Sequence, residues 1–308
     1  RLRRLYCTRQ CWLLYGFCVD ECREMEYNEM KHSDDWVIEA QDVSYTYDGN
    51  SEKALDGLSL KIRRGAKVAF MGGNGSGKST FFLCLNGIRR PDGGTIYIDG
   101  KPVEYTRKGL LDVRGKVGIV FQEPDSQLFS ASVYEEISFG ILNLGADEDT
   151  ARREVERVIE ELEITPFQDR PAHALSGGQK KQVAIADILV MHPEVMILDE
   201  PAAALDPKHT KKVQEIVDRL SGKGITVLMA THDIDYAYAW ADEIVLMHEG
   251  KVIRQGPPAE VCTDREALEK ASLELPVVVK IYERLREKNL IPEDMVLPGN
   301  VEELIEIL

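Results

Sequence analysis

The stretch Gly72-Gly73-Asn74-Gly75-Ser76-Gly77-Lys78-Ser79-Thr80 lies between two apolar runs, Val68 to Met71 before it and Phe81 to Leu85 after it. Gly72, Gly77, Lys78 and Ser79 stand at the spacing G-x-x-x-x-G-K-S. The order is strand, glycine loop, helix N-terminus, which is the arrangement that cradles a phosphate. Glycines let the backbone turn its N–H groups inward, because no Cβ stands in the way. Lys78 is then expected to reach the β- and γ-phosphates, and the Ser79 hydroxyl to hold Mg²⁺. The chain is therefore expected to bind a nucleoside triphosphate, and the open question is what that binding drives.

Outward from this loop the pattern is α/β. Trp36 to Tyr47 has strand character, and Leu58, Leu60 and Ile62 alternate with polar residues as in a half-buried strand. Val117 to Phe121, Val195 to Leu198 and Ile225 to Met229 are continuous apolar runs, the mark of buried parallel strands. Val155, Val158, Ile159 and Leu162 mark one helix face within a helical region from about 132 to 192. After Asp264 the pattern is helical again. Val278, Ile281, Tyr282 and Leu285 are expected on one face of one helix. Asn300 caps a last helix with Glu303 at N3 and Val301, Leu304, Ile305 and Leu308 as its apolar stripe.

Composition excludes some functions. A net charge of −15 over 308 residues argues against a nucleic-acid partner, whose phosphates need a positive face. No run of 18 or more apolar residues is present, so any membrane span is expected from another subunit. Cys7, Cys11, Cys18 and Cys22 crowd residues 1–33, but their spacing fits a zinc site poorly. That segment reads as a non-functional extension, an upstream translation artefact.

Two further segments carry chemistry. Val195 to Glu200 is a buried strand delivering two carboxylates at its C-terminal end, where ligands sit in open α/β sheets. Asp199 is expected to hold Mg²⁺ through its water shell, and Glu200 to act as general base on the attacking water. Leu175-Ser176-Gly177-Gly178-Gln179 opens a helix. A Ser hydroxyl and glycine N–H groups at that position make an anion site as well as a helix cap. Two anion sites in one chain suggest that two chains sandwich each ATP.

Together these residues resemble the ATP-binding-cassette (ABC) ATPases over residues 36–262. The resemblance implies a P-loop ABC ATPase with a RecA-like core, an antiparallel β subdomain, a helical subdomain at about 125–192 and a C-terminal helical extension. The cassette would run over residues 34–262. Residues 263–308 would form the extension, expected to aid dimerisation. It implies that Tyr47 stacks on adenine, and that Gln122 touches Mg²⁺ and senses a transmembrane partner. Asp206 is similar to the D-loop aspartate, and His232 to the switch histidine at the γ-phosphate. Leu175 to Gln179 resembles the family's signature segment, and Gly72 to Thr80, Ser176 to Gln179 and Asp206 would contact nucleotide. Gln182 and Ala202 depart from the family pattern, with altered surface contacts expected from both.

Gln122-Glu123-Pro124-Asp125-Ser126-Gln127-Leu128-Phe129 is similar to the Q-loop of energy-coupling-factor importers, and Asn86-Gly87-Ile88 and Asp235 to Asp242 are similar to the cobalt- and nickel-type ATPases among them. The resemblance implies an ATPase at the cytoplasmic face of the membrane that works with ATP and Mg²⁺. Its partners would be a second ATPase subunit, a transmembrane coupling subunit and a substrate-binding membrane subunit. Cobalt or nickel is the expected cargo, with biotin or another vitamin as the alternative. Glu123, Asp125, Glu135 and Glu136 are expected to cluster at the Q-loop and receive an arginine-bearing helix. A DNA-repair or translation ATPase is the rival outside transport, but Gln122 to Leu175 is too short for its coiled-coil insert. A non-hydrolysing regulatory module is disfavoured by Glu200 and His232.

Overall fold

The computed structural model describes residues 35–292 and 294–307. The four-cysteine segment and Leu308 lie outside the described residues.

Two sheets organise the chain. The first, in the order β2-β1-β4-β5, is antiparallel and built from β1 (Trp36–Thr46), β2 (Lys53–Arg63), β4 (Gly93–Ile98) and β5 (Lys101–Pro102). β2 alternates buried and exposed residues, with Leu58, Leu60 and Ile62 facing inward. The second sheet has the order β10-β9-β3-β8-β7-β6. It comprises β3 (Lys67–Met71), β6 (Val117–Val120), β7 (Val195–Asp199), β8 (Thr226–Ala230), β9 (Glu243–His248) and β10 (Lys251–Gly256). Its first five strands in chain order are parallel, and β10 returns antiparallel beside β9.

Strand alternation divides the core in two. Val68, Phe70, Val195 and Ile197 point to one face of the large sheet, against the antiparallel sheet and α1 (Lys78–Leu85). α1 buries Phe81, Phe82, Cys84 and Leu85 on several sides, as a helix enclosed by a core must. Each buried large side chain contributes about 1.5–3 kcal/mol. Ala69, Met71, Met196 and Leu198 point to the other face.

After β5 come α2 (Arg107–Lys116), α3 (Val133–Asn143), α4 (Glu148–Glu161) and α5 (Gly177–Leu189). Val155, Val158, Ile159 and Leu162 are buried as their spacing predicts. α5 starts in a capping box. Gln179 N–H donates to Ser176 Oγ at 3.3 Å, and Ser176 N–H donates to Gln179 Oε1 at 3.0 Å. Such a cap stabilises by about 1 kcal/mol.

α6 (Pro207–Gly222) and α7 (Ile234–Trp240) flank β8. The tail adds α8 (Pro258–Val261), α9 (Arg265–Lys270), α10 (Val277–Glu287) and α11 (Val301–Ile307). These helices share the core of the second face: Leu268, Val278, Val279 and Leu304 join Tyr238 and Trp240 there. Two expected stripes differ in detail. On α10 Val279 is buried while Ile281 is exposed, and on α11 Leu304 is buried while Ile305 is 66% exposed. Helical spacing offers several candidate positions, and the elements packed against each helix decide which of them are covered. Asn300 does cap α11, accepting from Glu303 N–H at 2.8 Å. Among the described residues no helix is long and apolar enough to cross a membrane.

Candidate functional site

β3, β6, β7 and β8 run parallel, so their C-terminal ends share one edge. That edge gathers Gly72 to Thr80 after β3, Gln122 after β6, Asp199 and Glu200 at the end of β7, and His232 after β8. Residues distant in sequence meet because sheet order, not chain order, sets their neighbours.

The loop is possible only with glycine at two points. Gly72 has φ 146°, and a Cβ there would lie 2.2 Å from the Met247 carbonyl oxygen. Gly77 has φ 103°, and its Cβ would lie 2.7 Å from the Ala54 carbonyl oxygen. Lys78 is buried and donates to the carbonyl oxygens of Gly72 at 2.7 Å and Gly73 at 3.1 Å, and to Ser76 Oγ at 3.3 Å. Burial pushes its pKa down, opposed by the charges of Glu200 and Asp199. The ammonium is thus held against the loop's own backbone.

Asp199 is buried. Burial raises its pKa, while a hydrogen bond from Ser79 and the charges of Lys78 and Lys181 oppose the rise. Glu200 accepts from two sides: His232 Nε2 lies 2.8 Å from Oε1, and Gln122 Nε2 lies 3.4 Å from Oε2. Its backbone is left-handed at φ 46°, which costs about 1–2 kcal/mol in a non-glycine residue. Its N–H donates to the Ala230 carbonyl at 3.1 Å, anchoring the turn to β8. Ser79, Asp199 and Gln122 present hard oxygen atoms suited to Mg²⁺. Among the described residues no cluster of three or more His, Cys, Asp or Glu could hold a metal, so an ion here would depend on phosphate oxygens too.

Tyr47 is half-buried. Its hydroxyl is 3.1 Å from Thr80 Oγ1, and the Arg89 guanidinium lies 5.5 Å from its ring centroid. One ring face is therefore covered by a cation. Asp206 caps α6: Oδ1 accepts from His209 N–H at 3.0 Å, and Oδ2 lies 2.6 Å from His209 Nδ1. These bonds lower its pKa. The His209 ring packs on the signature helix so closely that a Cβ at Gly178 would come within 2.2 Å of it. Among the described residues no hydrogen bond joins Ser176–Gln179 to Gly72–Thr80.

Two expectations are corrected. Gln182 is 3% exposed and donates to the Leu162 carbonyl at 2.9 Å, so the departure at this position alters a core contact and not a surface one. Glu136 does not belong to an exposed acidic cluster. It is 4% exposed and accepts from the N–H groups of Phe129 at 2.8 Å and Ser130 at 2.5 Å. Asp125 is exposed but paired with Lys180 at 2.5 Å. Glu123 and Glu135 are exposed, and the same surface also carries an aromatic pair: Phe129, 69% exposed, meets Phe139 edge-on at 5.1 Å.

Sequence reasoning missed Lys181, whose ammonium donates to the carbonyls of Phe121 and Gln122. No sequence signal marks it, since a lysine near a helix start ordinarily faces water and the burial of residues 181–190 comes from packing. It also missed the tail's reach to the phosphate loop, where a Cβ at Gly73 would stand 3.6 Å from Ser272 Oγ.

Comparison with known proteins agrees with this geometry. Residues 55–203 match the ABC transporter family. The energy-coupling factor transporter ATP-binding protein EcfA3 of Clostridium perfringens is 44% identical over 257 residues, covering 83% of this chain and 90% of that one. The chain belongs to the energy-coupling-factor family of ABC transporter ATP-binding proteins. Its activity is ATP hydrolysis coupled to transport. Among solved structures, CbiO1 of Clostridium perfringens, part of the ABC transporter complex CbiONQ, matches with a TM-score of 0.69 and 44% identity. That match covers 81% of this chain and 99% of CbiO1. A dimeric cassette in a post-hydrolysis state, bound to ADP and Pi, matches with a TM-score of 0.65 and 28% identity, covering 72% of this chain and 98% of that one.

Proposed function

We propose that this energy-coupling-factor ATPase powers import of cobalt or nickel ions, docked on the cytoplasmic face of a membrane complex. The observation that carries the catalytic part is the grip on Glu200 by His232 and Gln122, beside Lys78 and Ser79 on one sheet edge.

In this reading the nucleotide's phosphates enter the loop from Gly72 to Thr80, and adenine stacks on Tyr47. Ser79, Asp199 and Gln122 would hold Mg²⁺, which would supply charge neutralisation on the phosphates. Glu200 accepts the proton of the attacking water, and Gln122 and His232 fix its carboxylate in place. Lys78 and His232 meet the charge that develops on the transferring phosphoryl group, the source of most catalysis in such reactions. Ser176, Gly177, Gly178 and Gln179 face the nucleotide of a second ATPase subunit, with Asp206 beside them. Their separation from this chain's own phosphate loop supports the head-to-tail pair. Residues 263–308 add to the pairing surface.

Phe129 and Phe139 form the docking patch for the transmembrane coupling subunit, an aromatic anchor suited to an apolar helix end. The substrate-binding membrane subunit then carries the cargo. Cobalt or nickel is supported by Asn86-Gly87-Ile88 and by Asp235 to Asp242, the segments that resemble the cobalt- and nickel-type ATPases. The test is uptake by vesicles carrying the intact complex. ATP-dependent accumulation of labelled cobalt or nickel, lost in a Glu200→Gln complex, is the expected result. Accumulation of a vitamin without either metal would reassign the cargo.

A further inference from the structure

The backbone just beyond β6 has a problem that Lys181 solves. The ladder between β6 and β7 ends at Val120, so the carbonyls of Phe121 and Gln122 have no strand partner. Buried acceptors without a partner are costly. Lys181 Nζ donates to Phe121 O at 3.0 Å and to Gln122 O at 2.8 Å. The residue is 1% exposed. Keeping a lysine there is costly, and a costly buried charge needs a reason beyond stability.

Two neighbouring contacts fasten the same turn to the same helix. Gln127 Nε2 donates to the Ala184 carbonyl at 3.2 Å, while its Oε1 accepts from Phe121 N–H at 3.4 Å. Lys180 pairs with Asp125. Residues 121–127 are thus tied to α5 at three levels, and α5 is the helix that Ser176 caps. A helix rises 1.5 Å per residue, so Lys181 stands about 7–8 Å along a stiff rod from the signature loop.

We propose that Lys181 is the positioning residue of the Q-loop, holding the backbone at Gln122 so that its side chain stays on Glu200 and moves with the signature helix. The inference rests on the roles proposed above for Gln122 and Glu200, and adds a physical link between them and Ser176. When α5 shifts to meet the partner subunit's nucleotide, the same shift sets Gln122 against the water-activating carboxylate.

A double-mutant cycle on the full chain tests this. Steady-state ATP hydrolysis is measured for Gln122→Ala, Lys181→Met, the pair together, and Lys181→Arg. Lys181→Met is expected to lower kcat about tenfold, the size of one lost charge-assisted contact, with KM for ATP within about twofold. The double variant is expected to be no slower than Gln122→Ala alone, because the lysine acts through that residue. Lys181→Arg, which keeps the charge and the donors, is expected to restore most of kcat. Multiplicative losses in the double variant, or an unchanged kcat in Lys181→Met, overturn the proposal while leaving Gln122 and Glu200 in place. An unchanged kcat in Gln122→Ala overturns the Gln122 role and this inference together. Should Lys181→Met not accumulate as folded protein, Lys181→Gln, with one amide donor, completes the same cycle.

Discussion

The nucleotide edge and the C-terminal helices stand on one core but are built by opposite rules. At the edge, Glu200 holds a left-handed backbone, and Lys78, Lys181 and Asp199 are buried groups whose pKa values desolvation has moved. Each of these features costs stability. At the tail, Val278, Val279, Tyr282 and Leu304 fill space with apolar surface, and polar contacts such as the Asn300 cap and the bond from Val277 N–H to Asp235 satisfy helix ends. Substitutions at the edge should strike turnover with little loss of stability, and substitutions in the tail core the reverse.

The sharpest way to break that contrast is Glu200→Gln. The amide keeps the shape and can still contact Gln122 and His232, but it accepts no proton. Hydrolysis should fall about 100- to 10,000-fold, the range for a lost general base. ATP binding should persist, a nucleotide-bound dimer should accumulate, and the thermal midpoint should not drop. Near-normal phosphate release from this variant would remove the base assignment. At the other end, Leu304→Ala deletes a fully enclosed side chain and should cost about 2–5 kcal/mol in denaturant unfolding. Its kcat, taken on the folded fraction, should stay within about twofold. A large fall in kcat at unchanged stability would show that the tail is part of the catalytic machinery, through the approach of Ser272 to Gly73.

The two regions also differed in how far the sequence could be read. The edge was legible because its chemistry demands particular residues at fixed spacing. Gly72 and Gly77 stand where a Cβ would strike backbone, and Gln122, Glu200 and His232 each follow an apolar strand that ends on the same side. Lys181 escaped because a lysine near a helix start usually faces water, and only tertiary packing brings it under the Q-loop. Glu136 and Gln182 escaped for the same reason: polar residues were read as surface, yet each satisfies a backbone group inside the fold. In the tail, helix and cap were legible from Asn300 and Glu303. The buried face was not, since helical spacing gives a stripe of candidates and the neighbouring elements choose among them, taking Val279 over Ile281.

A subtler test of the contrast uses pH. The folded-state pKa of Lys181 lies at about 8, below the ordinary 10.5. Below pH 8 folded and unfolded chains both carry the proton, and the full cost of burying it stands. Between about 8 and 10.5 the unfolded chain binds the proton and the folded chain does not, so this lysine's contribution to stability improves as pH rises. Wild type should therefore gain on Lys181→Met across that window, by on the order of 2 kcal/mol after discounting for the open edge of the site. Parallel stability curves for the two proteins would mean that the lysine costs nothing where it is.

The smallest expected effect is the most exacting check on the tail. Ile305 follows Leu304 on α11 but is 66% exposed. As a surface residue, Ile305→Ser should change unfolding free energy by no more than about 0.5 kcal/mol, against several for Leu304→Ala. Exposed isoleucine is nonetheless an apolar patch, and residues 263–308 are the proposed pairing surface. Measuring unfolding and self-association of the same variant separates the two uses. Unchanged stability with weaker association would place Ile305 in the subunit contact. Unchanged values for both would confine the pairing to the nucleotide sandwich, where the signature loop and the phosphate loop are sufficient. A loss of stability near that of Leu304→Ala would mean that α11 rotates in solution to bury the stripe its spacing predicts, and the line drawn here between tail core and tail surface would fall.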